Sequence, residues 1–113
     1  MKKIKQLTQT LSPEINPSDL VEGKVVRFPS FDGLSIPALL FLPKGIREGQ
    51  KVPALVQVHG GPGGQTQLSY VDEYQYLLNH GYAIFCVNNR GSSGYGKSFY
   101  AADDLKHGNE DLK

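Results

Sequence analysis

Two glycine-rich stretches hold the residues of this sequence whose types and spacing could do chemistry. The first is His59-Gly60-Gly61-Pro62-Gly63-Gly64, part of a run of nine residues, 59–67, that contains four glycines and one proline. Glycines there let the main chain pass close to a ligand with its N–H groups exposed, so the loop can hold an anion. The plainer alternative is a glycine-rich turn with no ligand. The second stretch, Gly91-Ser92-Ser93-Gly94-Tyr95-Gly96-Lys97-Ser98, satisfies the phosphate-binding pattern G-x-x-x-x-G-K-[ST]. In a nucleotide site Lys97 would reach the β- and γ-phosphates and Ser98 would hold Mg²⁺, with an acidic partner on a later strand. Only fifteen residues follow Ser98, and polar Asn88-Asn89-Arg90 separates the loop from the apolar run before it. A structural loop leading into a helix is therefore favoured, and nucleotide binding is the alternative.

No serine sits in a G-x-S-x-G elbow: Ser93 has Gly91 two residues before it but Tyr95 two after it. His59, His80 and His107 could each act as a general base, but without a nucleophile and an orienting acid no triad can be assembled. His59 is expected to hold its own loop, and His80 and His107 to sit at helix ends. Cys86, the single cysteine, lies in the apolar run 83–87 and reads as a buried, inert thiol. Neither a metal nor a cofactor is expected.

Composition narrows the partners. With 39% apolar and 20% charged residues the chain is an ordinary globular domain or a piece of one. Twelve Lys and Arg against eleven Asp and Glu, with no run of five like charges, argue against a nucleic-acid or membrane-surface field. The basic opening at residues 1–5 is followed by mostly polar residues 6–12 rather than an apolar signal core, so a cytoplasmic location is expected.

The elements that must position the two loops follow from periodicity and punctuation. Residues 1–22, with Pro13 and Pro17 and no 3.6 or 2.0 period, read as a linker, and residues 23–113 as the folded part. Val25-Val26-Arg27-Phe28 and the run 36–42 flank Phe31-Asp32-Gly33, the signature of a hairpin with an Asp-Gly turn. Pro37 removes a ladder donor and so implies an edge strand or a bulge. Residues 52–58 read as a strand buried on both faces. Ser69 can cap a helix with the stripe Val71, Tyr74 and Leu78, which Gly81 stops. Residues 82–87 form the next buried strand. Ser98 then starts a helix through Phe99, Ala102 and Leu105 that Gly108 ends, with Lys106 and His107 at its negative end. A strand–helix–strand unit implies a parallel pair. The last helix has no strand after it, which suggests that sequence is missing on its C-terminal side.

The fold class is thus α/β, and the residues resemble the catalytic domain of the prolyl oligopeptidase family, especially its acylaminoacyl-peptidase and dipeptidyl-aminopeptidase branches. The resemblance runs through Val25-Val26-Arg27-Phe28, Ser30-Phe31-Asp32-Gly33, Ile36-Pro37-Ala38, Val58-His59-Gly60-Gly61-Pro62 and Asn89-Arg90-Gly91-Ser92-Ser93-Gly94-Tyr95-Gly96. It implies a partial α/β-hydrolase fold comprising the N-terminal hairpin and the first parallel strand–helix–strand unit. It also implies that the loop after the third strand supplies an oxyanion-hole N–H, carried over to Gly61 with Gly60 beside it. The family's serine, aspartate and histidine come later than these 113 residues. The expected parent is a serine peptidase cleaving peptides through an acyl-enzyme, with the missing C-terminal portion of the domain as partner and this chain inactive alone. A non-catalytic, hydrolase-like module that binds peptide is a further alternative.

Overall fold

A computed structural model of the protein describes residues 3–61 and 63–112; Met1, Lys2, Lys113 and Pro62 of the first glycine loop lie outside them. The strands β1 (Lys24–Pro29), β2 (Ser35–Phe41), β3 (Ala54–Val58) and β4 (Ala83–Val87) form one mixed sheet in the order β1-β2-β4-β3. β1 and β2 are antiparallel, with Lys24 opposite Leu40 and Pro29 opposite Ser35. Their turn is closed by Gly33 N–H to the Ser30 carbonyl at 2.9 Å and by Asp32 Oδ1, which accepts the Leu34 N–H at 3.1 Å. β3 and β4 run parallel, as the intervening helix α1 (Asp72–Asn79) requires.

β2 lies inside the sheet, between β1 and β4, so Pro37 marks neither an edge nor a bulge. The reason is positional. The β2–β4 ladder begins one residue on, at Ala38 opposite Val87, and the Pro37 carbonyl accepts the Asn88 N–H at 3.0 Å. The absent N–H therefore falls at the ladder's end, where no bond is broken.

The core forms where α1 lies on the sheet: Leu78 packs with Leu39, Phe41, Ile84 and Cys86, and Tyr74 meets Phe41 edge-on at 5.6 Å. Burial raises the Cys86 thiol, consistent with an inert role, and together with the Cys86 contact pushes the Tyr74 hydroxyl up to about 12. α1 ends in a Schellman motif, with Gly81 N–H on the Leu78 carbonyl and Tyr82 N–H on the Leu77 carbonyl, both at 3.1 Å. Its start differs from the sequence expectation. Val71, not Ser69, is the cap position and no side chain bonds there. Asp72 and Glu73 supply negative charge to the first turn instead. Ahead of the hairpin, the Gln75 carboxamide brackets Val21, accepting its N–H at 2.8 Å and donating to its carbonyl at 2.9 Å.

The second helix is shorter than its apolar spacing suggests. α2 spans Lys97–Tyr100, gives way to a 3₁₀ turn at Ala101–Asp103, and the chain reverses at Leu105, which has a φ of 61° and a fully exposed side chain. Leu105 finds no apolar surface, and an isolated turn is too short to propagate unaided. Among the described residues no helix is long and apolar enough to cross a membrane.

β3 departs furthest from expectation. It pairs on one side only, and all five of its residues are exposed rather than buried on both faces; Val56 and Val58 are 66% and 56% exposed. Leu55, Val56 and Val58 are large apolar side chains left in solvent. An unpaired apolar edge is a template for another chain. Expressed as these 113 residues, the protein should self-associate, and Val56→Lys should raise the monomer fraction in sedimentation without changing the far-UV spectrum. Equal association of both forms would show that the β3 edge is not responsible.

Candidate functional site

Both glycine loops leave the same end of the parallel pair, 59–67 from β3 and 88–98 from β4, and buried polar side chains join them. Asn88 is fully buried. Its Oδ1 accepts the Thr66 N–H at 2.7 Å, and its Nδ2 donates to the Thr66 carbonyl at 3.0 Å and to the Tyr95 hydroxyl at 2.8 Å. Ser92 is equally buried; its hydroxyl donates to the Asn89 carbonyl at 2.6 Å and stands 2.9 Å from His59 Nε2. The other ring nitrogen of His59, Nδ1, lies 3.2 Å from the Gly60 carbonyl, so the imidazole contacts both loops. The Ser93 N–H completes the seam on the Gly64 carbonyl at 3.0 Å.

Arg90 anchors the second loop to the hairpin. Only 3% exposed, it grips Asp32 with two 2.9 Å bonds, reaches Ser30 Oγ at 3.2 Å and Glu110 at 3.3 Å, and lies over the Phe31 ring at 4.8 Å. The guanidinium holds the Asp32 carboxyl below its ordinary range.

Within this frame the first loop bends sharply. Gly61 has a φ of 96°, a conformation that side chains resist, and a Cβ on Gly64 would come 2.6 Å from the Gly60 carbonyl oxygen. Gly60 and Gly61 are exposed, and no described residue accepts a bond from either N–H. Two donors fixed side by side on a strained turn can bind a negative charge.

The loop carrying the phosphate pattern is differently disposed. The Gly91 N–H is bonded to the Phe99 carbonyl, the Ser92 N–H to Asn89 and the Ser93 N–H to Gly64, so the first three amides of the pattern are engaged within the protein. Lys97 and Ser98 are exposed at the start of the four-residue α2. Of the histidines, His59 does hold its loop and His80 caps α1, with Nδ1 2.8 Å from the Tyr76 carbonyl. His107 lies beyond α2, beside Asp103. The joining residues Asn88, Arg90 and Ser92 were not singled out as site residues. Their signal in the sequence was a polar run placed directly after an apolar strand.

Sequence and structure comparisons agree on the relatives. Residues 68–113 match the model of the prolyl oligopeptidase family. Over 93 residues, 77% of this chain, the sequence is 34% identical to dipeptidyl aminopeptidase BIII of Pseudoxanthomonas mexicana. The fold superposes on acylaminoacyl peptidase of Pyrococcus horikoshii with a TM-score of 0.71 and 38% identity over 81% of the chain. The chain belongs to the prolyl oligopeptidase family. A puromycin hydrolase shares the fold at a TM-score of 0.81 and 24% identity. The α/β-hydrolase fold expected from the sequence is the fold of these neighbours. The chain spans only 14% of the dipeptidyl aminopeptidase and 15% of the acylaminoacyl peptidase.

Two measurements follow for this member of the family. Because the folded Asp32 titrates below its unfolded value, its contribution is present above the ordinary carboxylate range and is lost as pH falls through the folded value. Asp32→Asn should therefore be less stable than the parent at neutral pH, and the two should converge in acid; a gap independent of pH would rule out the ion pair as its cause. The engagement of the Gly91, Ser92 and Ser93 amides within the protein predicts no Mg²⁺-dependent ATP or GTP binding. Micromolar affinity abolished by Lys97→Ala would reverse that conclusion.

Proposed function

We propose that this chain forms the leading part of the catalytic domain of a serine peptidase, and that its 59–64 loop supplies one side of the oxyanion hole. The observation that carries the reading is the pair of N–H groups at Gly60 and Gly61, from which no described residue accepts a bond, held by a seam of buried hydrogen bonds directly after the parallel strand β3. In peptide hydrolysis through an acyl-enzyme, attack by a serine turns the substrate carbonyl oxygen into an oxyanion. The Gly61 N–H, with Gly60 beside it, would donate to that oxygen, and a fixed donor stabilises the developing charge without reorganising as the reaction proceeds.

These 113 residues contain no G-x-S-x-G serine, so the chain by itself is proposed to bind the oxyanion position and turn nothing over. The similarity to an acylaminoacyl peptidase and a dipeptidyl aminopeptidase supports peptides as the substrates of the whole domain. The nucleotide reading is disfavoured by the bonded amides of the second loop. The absence of side-chain bulk at Gly60 and Gly61 favours a reacting carbonyl over a merely bound peptide.

In a chain extended through the remainder of the hydrolase domain, Gly61→Ala should lower kcat roughly a hundred- to a thousandfold per folded molecule, the cost of losing one such donor. A fluorophosphonate should label that longer chain and leave the 113 residues unmodified. Normal turnover in a destabilised Gly61→Ala protein would reduce the loop to a structural turn, and stoichiometric labelling of the 113 residues would reveal a nucleophile within them.

A further inference from the structure

Away from the glycine loops, three side chains of the 101–112 segment converge. Asp103, His107 and Asp111, four residues apart in succession, each bring one ligating atom to within 4.8 Å of the others. Asp103 is 2% exposed, yet its Oδ2 receives no hydrogen bond, a costly state for a carboxylate oxygen removed from water. That oxygen points into the cluster, 3.0 Å from His107 Nδ1, with which it forms an ion pair only when the imidazole is protonated.

Among the described residues the other neighbouring donors do not serve it. Arg90 is engaged by Asp32 and Glu110, and Lys106 by Glu110 at 2.9 Å. The carboxylate is pressed against Gly91, where a Cβ would come 2.1 Å from Oδ2, but the Gly91 N–H is given to the Phe99 carbonyl. Asp111 Oδ1 accepts the Asn109 N–H at 3.0 Å and leaves its second oxygen for another partner.

A divalent cation would satisfy this arrangement. Two ligand bonds of about 2.1 Å meeting at the tetrahedral angle separate their donor atoms by about 3.4 Å, within a few tenths of an ångström of the 3.0 Å between Asp103 Oδ2 and His107 Nδ1. One imidazole nitrogen with two carboxylate oxygens suits a first-row transition ion better than Ca²⁺, which takes six to eight oxygens. We propose that Asp103, His107 and Asp111 bind one divalent transition-metal ion. Its effect is structural: it fastens the 101–112 segment, which has little helix of its own, onto the second glycine loop at Gly91. The inference is independent of the role of Gly61.

Zn²⁺ added to the chelator-treated chain is the probe, followed by calorimetry and by metal content after dialysis. One ion per chain is expected, with little binding of Mg²⁺ or Ca²⁺ under the same conditions. Asp103→Asn and His107→Gln should each weaken Zn²⁺ binding at least about tenfold. Because Asp103 is buried and its variant could unfold, His107→Gln and Asp111→Asn, at less buried positions, carry the decision if it does. Absence of saturable Zn²⁺ binding, or stoichiometric binding that His107→Gln and Asp111→Asn leave unchanged, would overturn the proposal.

Discussion

The architecture of the site depends on one buried carboxamide. β4 ends at Val87, and the next side chain, Asn88, turns into the protein to meet both the N–H and the carbonyl of Thr66. It thereby offers the first glycine loop the donor and acceptor of a strand neighbour after the strands themselves have stopped. A buried polar group so satisfied fixes geometry, whereas the same group left unpaired would cost free energy, so few other positions of the loop are compatible with it. The Tyr95 hydroxyl takes the remaining Asn88 proton and binds the second loop into the same unit.

Around that bond the other restraints act in order of distance from the loops' tips. Ser92 and His59 tie the loops at their bases, and Arg90 ties the second loop to the hairpin turn through Asp32. The consequence is an asymmetry between two stretches of similar composition. In the second loop the amides of Gly91, Ser92 and Ser93 are bonded within the protein, while in the first loop no described residue accepts from Gly60 or Gly61. Glycine content alone does not make an anion site; the pattern of bonds already made decides which loop has donors to offer.

This also explains what could be read from the sequence. The hairpin was legible because Asp32-Gly33 is a local turn signal between two apolar runs, and β3, α1 and β4 because each is bounded by glycine or polar residues. The two loops were legible as loops, and Gly60 and Gly61 were singled out through the family resemblance. The remaining features depended on partners distant in sequence. Pro37 is harmless only because the β4 ladder begins after it, Leu105 cannot extend α2 because nothing apolar faces it, and β3 is exposed because, among the described residues, no helix packs on its faces. Asn88 reaches Thr66 across 22 residues, and Arg90 reaches Asp32 across 58. No local pattern encodes such pairings, although three polar residues directly after an apolar strand mark a place where burial demands partners.

The central claim is that the seam immobilises the first loop while no described residue accepts from its foremost amides, and amide hydrogen exchange resolved by residue tests it most directly. Thr66 and Ser93 N–H should exchange slowly, with protection that falls when Asn88→Ala removes the carboxamide, while Gly60 and Gly61 N–H should exchange near the rate of an open chain. Protected Gly60 and Gly61 amides, or a Thr66 amide as fast as theirs, would contradict the account.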